Sequence, residues 1–176
     1  MFRVTGEDRE DRQYHIDLIR TVSQNDLGAA IILADVYFEW CVRRCIMALG
    51  TSSVADLRKR LNDHRMNFDG RKVLWTKEVH KKDVPTLPCL FDSRKNKPKF
   101  LNLTLDWKGI KNAHKMRNQL VHGYSCNPKK EKGLKYVELL LAAADIIVDL
   151  AESRGRSIFK KIIRRNKKTA IVASAK

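Results

Sequence analysis

Residues 23–50 read SQNDLGAAIILADVYFEWCVRRCIMALG, and this stretch decides the fold. It is apolar around most of a helical circumference, as a helix surrounded by other helices must be. Ser23 and Asn25 offer N-caps at its start and Gly50 a stop at its end, which predicts a central core helix of about 24 residues. Cys41 and Cys45 stand four apart on it and read as small buried hydrophobes.

The same helical period continues on both sides. Residues 8–21 predict a short charged helix with Tyr14, Leu18 and Ile19 facing inward. Ser52 and Ser53 can cap a helix through Leu61 in which Val54, Leu57 and Leu61 share a face. Further helices are expected over residues 69–80, with Val73, Leu74 and Val79 apolar, over 106–122 ending at Gly123, and from Leu134 to Ala151 with Gly155 as its stop. Between residues 81 and 105 the period fails and three prolines appear, so a long loop is expected there. With no sustained strand alternation and no repeat, the fold class is all-α, an antiparallel up-down bundle of four to six helices. The bundle is expected over residues 1–155, with a basic amphipathic tail over 156–176.

The length of 176 residues suits one domain. The longest apolar run, residues 27–34, is far short of the roughly 20 residues of a membrane span, and no basic-then-apolar leader opens the chain, so a cytoplasmic protein without a membrane span is expected. Four cysteines without a C-x-x-C pair, and histidines without ligand spacing, give no disulfide, metal site or cofactor from sequence.

Charge is unevenly spread. The formal net charge is +16, yet residues 1–40 hold eight acids against four arginines, leaving 32 bases and 12 acids in the rest. A field of that sign draws polyanions, RNA among them, or serves solubility alone. Two clusters stand out: Arg94, Lys95, Lys97 and Lys99 in the long loop, and Lys160, Lys161, Arg164 and Arg165 in the tail, opposite an apolar stripe of Ile158, Phe159, Ile162 and Ile163. The tail either docks that stripe on the bundle, or contacts RNA or a membrane surface.

On the helix over 106–122, Arg117 falls in the middle of the apolar stripe set by Ile110, Ala113, Leu120 and Val121, with Asn118 and His122 on its flank. A guanidinium there must meet a carboxylate, an anion-binding cleft or a subunit interface. It either pairs with a core acid such as Asp35 or Asp145, with His122 a helix-end residue, or lines a cleft edge with Asn118 and His122.

The string Met116-Arg117-Asn118-Gln119-Leu120-Val121-His122-Gly123-Tyr124 resembles the signature of the HEPN superfamily, R-x(4)-H with a polar residue after the arginine, and its toxin branch, R-x(4)-H-x-Y. Residues 25–50 and the segment FDGRKVLWTKEVHKKDV (68–84) are similar to helices of HEPN proteins related to mannitol operon repressors, so the resemblance spans roughly residues 20–155. It implies an all-α homodimer that cleaves RNA without metal, its two motif copies facing. Arg117 would hold the phosphate, His122 would act as general base or acid, and Asn118 would orient His122 or the phosphate. Tyr124 would be either the target of a nucleotidyltransferase-type antitoxin or a packing tyrosine. A non-catalytic nucleic-acid-binding or transcription-linked module on the same bundle is the other reading.

Overall fold

Four long helices carry the core: α1 (Asp8–Asn25), α2 (Leu27–Leu49), α5 (Trp107–Val121) and α6 (Lys130–Ser153). Two short ones, α3 (Val54–Leu61) and α4 (Phe68–Trp75), cross between α2 and α5, and α4 continues into a π-helical turn, Thr76–His80. These assignments come from a computed structural model, which describes residues 8–80, 107–123, 128–160 and 162. Among them there is no strand, so the all-α bundle expected from the sequence is what forms.

Helix α2 packs most extensively against α6. At their shared N-terminal end, a Cβ on Gly133 would lie 2.4 Å from Leu27 Cδ2, so glycine permits the close start of α6 against α2. Arg12 with Asp149 and Arg20 with Glu138 set α1 antiparallel to α6, and His114 with Asp35 sets α5 antiparallel to α2. The four long helices thus run up, down, up, down. Their core includes Ile31, Tyr37, Phe38, Cys41, Cys45, Ile110, Ala113, Leu140 and Ile147. Burial pushes both thiols well above the usual cysteine range, so they stay protonated and inert.

Cap chemistry sets the boundaries. Helix α1 runs past the expected end to Asn25, and Asp26, rather than Ser23 or Asn25, caps α2 by accepting the Ala29 N–H at 2.9 Å. Ser53 caps α3 as expected, and Val54, Leu57 and Leu61 are all buried. The π turn aims Glu78 inward beneath this cap. Its carboxylate accepts from Thr51 Oγ1, from the N–H and Oγ of Ser52, and from Arg60, at 2.9–3.0 Å. Burial works to raise its pKa, but these bonds outweigh it and hold the carboxyl below its ordinary value.

Two inward faces differ from expectation. Tyr14 and Leu18 are 45% and 40% exposed, because α1 turns Asp11, His15, Ile16 and Ile19 to the core instead. Polar residues occupy half of that packing face, which hides it from a reading by hydrophobicity. Val73 and Val121 are likewise exposed, at 67% and 50%.

The tail begins inside the core. Ile158 and Phe159 are buried, Phe159 with its ring centroid 5.4 Å from that of Trp40. Arg44 holds the segment by donating to the carbonyls of Ile158, at 2.5 Å, and Lys160. Residues 158–160 bend rather than form the expected amphipathic helix. Ser157 Oγ takes the N–H groups of Phe159 and Lys160, and Arg44 takes carbonyls that a helix would use internally.

Candidate functional site

Ile110 and Ala113 anchor α5 against the core, and the next turn of that face carries His114 and Arg117 toward α2. Asp35, wholly buried, meets them: His114 Nδ1 lies 3.0 Å and Arg117 Nε 3.6 Å from Asp35 Oδ2. Of the two acids expected as partners, Asp35 rather than Asp145 faces Arg117; Asp145 is bound to Arg12. A gap of 3.6 Å is a charge contact without a hydrogen bond, and the buried Arg117 Nε makes none among the described residues. Arg117 Nη1 donates to Asn118 Oδ1 at 2.9 Å.

Around His114 the network continues. Its ring stacks on Phe68 with centroids 4.7 Å apart, and its Nδ1 is 3.8 Å from Glu39, which in turn is paired with Arg71 of α4. Asp35, Glu39 and His114 place their ligand atoms within 4.8 Å of one another, a donor set that a divalent cation can use. Each carboxylate already faces a guanidinium, Arg117 for Asp35 and Arg71 for Glu39, so a cation would enter against two positive charges.

His122 stands exposed just past the end of α5, its backbone N–H donating to the Asn118 carbonyl at 3.0 Å. Gly123 follows at φ +69°, the left-handed conformation that ends helices and that glycine adopts freely. Arg117, Asn118 and His122 are thus gathered on the last turns of one helix. The same end of the bundle carries the exposed Lys129, Lys130, Lys132 and Lys135 at the start of α6, where the side chain at the N-cap, Lys129, makes no capping hydrogen bond. In the sequence Lys129, Lys130 and Lys132 pass for part of a turn, although cations there oppose the helix dipole.

Lys160 lies elsewhere. It is exposed near Arg44, whereas Leu120 abuts Gly28, so Lys160 and the motif sit toward opposite ends of α2, about 24 Å apart along its axis. Tyr124, Arg94, Lys95, Lys97, Lys99, Lys161, Arg164 and Arg165 lie outside the described residues. His114, Glu39 and Arg71 were missed from sequence. The available signal was the four-residue spacing of Asp35 and Glu39 on an apolar helix, which puts two acids on one face.

No helix among the described residues is long and apolar enough to cross a membrane. No protein-family model, curated protein or solved structure matches the chain.

Proposed function

We propose that the chain is a metal-independent endoribonuclease of HEPN type, a cytoplasmic toxin or defence component that works on RNA as a homodimer. The observation that carries this reading is the state of Arg117. It is held inside the apolar stripe beside a buried acid, yet among the described residues its only hydrogen bond goes to Asn118. A guanidinium has five N–H donors, so most of its capacity remains for an oxyanion. The exposed imidazole of His122 five residues on, and the lysines at the start of α6, supply a proton-transfer group and an attraction for the RNA backbone.

The chemistry follows from those residue types. A base takes the ribose 2′-hydroxyl proton, the 2′-oxygen attacks the phosphorus, and the 5′-oxygen leaves with a proton from an acid. The products are a 2′,3′-cyclic phosphate and a 5′-hydroxyl, and DNA, lacking the 2′-hydroxyl, is not cut. With two motif copies facing, one His122 serves as base and the other as acid, while Arg117 stabilises charge on the phosphate oxygens. Val121, half exposed beside His122, gives the facing surfaces an apolar contact. Tyr124 is the point at which a nucleotidyltransferase-type antitoxin would block the groove.

Labelled single-stranded RNA and purified protein, with and without chelator, test the reading. Cleavage is expected to survive chelator and to vanish in Arg117→Ala and His122→Ala, with helical circular dichroism unchanged. Cleavage retained by His122→Ala removes the assignment; RNA bound but left uncut by the parent protein identifies a binding module instead.

A further inference from the structure

Asp35 Oδ2 is approached by two side chains of α5, His114 through Nδ1 at 3.0 Å and Arg117 through Nε at 3.6 Å. The carboxylate is fully buried, and the imidazole that grips it is stacked face to face on the Phe68 ring and lies, through the same Nδ1, 3.8 Å from Glu39, itself tied to Arg71. Three helices therefore converge on the orientation of one carboxylate. What that carboxylate faces is the Nε of a guanidinium whose Nη1 is turned to Asn118 on the other side.

We propose that Asp35, locked by His114, is the positioning residue for Arg117, and this rests on the reading of Arg117 as the group that holds the phosphate. A guanidinium is planar, and its donors leave along fixed directions. An anion on the Nε side attracts that edge inward and leaves the Nη groups turned outward, where a phosphate can be taken by two parallel N–H bonds. The 3.6 Å separation serves this role. It is close enough for the buried charge to orient the side chain, and too long to consume a donor as Asp145 and Asp149 consume those of Arg12. Without Asp35 the long side chain of Arg117 samples several rotamers, and each turnover must order it again.

The test reads Arg117 directly and does not need catalysis. In ¹⁵N-labelled protein the Arg117 Nε–H signal, assigned by its loss in Arg117→Lys, is expected to exchange slowly with water. Asp35→Asn should make it exchange at least about tenfold faster, and His114→Ala should do so partially. His114→Asn keeps an N–H donor toward Asp35 and should restore the protection. In RNA cleavage, Asp35→Asn should lower kcat about tenfold or more while KM moves less than about threefold, because orientation is lost and charge attraction by the lysines is kept. If Asp35→Asn does not fold, His114→Ala and its rescue by His114→Asn give the same two readouts.

An Arg117 Nε–H that exchanges at the parent rate in Asp35→Asn, or in His114→Ala where Asp35→Asn does not fold, overturns the proposal. So does an unchanged kcat in a parent protein that cleaves RNA, and there the nuclease reading stands. If the parent protein cuts no RNA the nuclease reading fails, and the exchange measurement alone decides whether Asp35 positions Arg117.

Discussion

Arg12 and Arg117 flank the α2–α6 pair from opposite sides, one on α1 and one on α5, and their side chains are almost equally buried, at 25% and 26% exposure. Their use is opposite. Arg12 Nε donates to Asp145 and its Nη1 to Asp149, each at 2.8 Å. Burial acts to lower its pKa, and these two carboxylates outweigh that and leave it raised. Arg117 faces one buried acid at 3.6 Å and bonds only Asn118 among the described residues. Burial therefore does not separate a structural arginine from a candidate functional one; the fraction of donors already committed does.

Substituting at each seam breaks the comparison most sharply. Arg117→Lys keeps a cation near Asp35 and loses the planar fork, so RNA cleavage should fall about 10²-fold or more while the melting temperature moves by only a few degrees. Arg12→Ala should do the reverse. It removes two charge-assisted bonds and leaves Asp145 and Asp149 facing each other, which costs about 3 kcal/mol and lowers melting by about 9 °C, with cleavage unchanged below that temperature. Thermal melts and single-turnover cleavage on the same samples read both. A cleavage defect in Arg12→Ala equal to that of Arg117→Lys would erase the distinction.

What the sequence made legible follows the range of the forces involved. Helix existence and some helix ends were readable because caps are local: Ser53 and Gly123 do what their residue types predict, whereas the end of α1 and the cap of α2 fall elsewhere than expected. The anomaly at Arg117 was readable too, since an arginine in an apolar stripe demands a partner wherever the chain goes. Its partner was not, because Asp35 lies on another helix and only tertiary packing chooses between it and Asp145. His114 looked like any polar residue three positions from Arg117 until Asp35 met it across 79 residues of sequence. The inward face of α1 was misread for a related reason: Asp11 and His15 are buried there, and hydrophobicity cannot announce a buried polar position.

Glu78 sharpens the comparison from the acid side, as a carboxylate whose acceptors are fully used. Its folded pKa is depressed, so its stabilisation is complete above the unfolded value of about 4.3 and is lost as pH falls through the lower folded value. Glu78→Gln should melt lower than the parent at pH 6, by about 2 kcal/mol, and the gap should begin to shrink as pH falls below about 4.3 and go on shrinking toward the depressed folded value. A gap that stays constant across this range would show that shape, rather than charge, sets the worth of the π turn.

The tail offers a smaller contrast, between docked and undocked charge. Cutting after Gly155 removes Ile158 and Phe159 from the core and should cost about 3 kcal/mol. Cutting after Lys160 spares that packing and removes Lys161, Arg164, Arg165, Lys167, Lys168 and Lys176. If these residues touch the RNA backbone, the log–log salt slope of RNA affinity should flatten by about 0.7 for each phosphate that is no longer neutralised, equally for all sequences. An unchanged slope after the second cut ends any role of those residues in RNA binding.

The smallest expected effect concerns Arg20, whose Nε and Nη2 donate to the two oxygens of Glu138 at 3.1 and 2.9 Å. By geometry this bidentate pair is better formed than anything Arg117 makes, and it spans the same α1–α6 seam as Arg12. Both side chains, however, are half exposed, at 51% and 55%. Water and salt compete for them, and ordering two long side chains offsets most of the attraction. Arg20→Ala should therefore cost only about 0.5 kcal/mol, and the difference should disappear in 1 M salt, whereas that of Arg12→Ala should largely persist. A loss near that of Arg12, insensitive to salt, would mean that bond count alone governs these arginines. The observed contrast requires instead that burial and commitment act together: Arg20 is committed but exposed, Arg12 is committed and largely shielded, and Arg117 is as shielded as Arg12 with most of its donors unspent among the described residues.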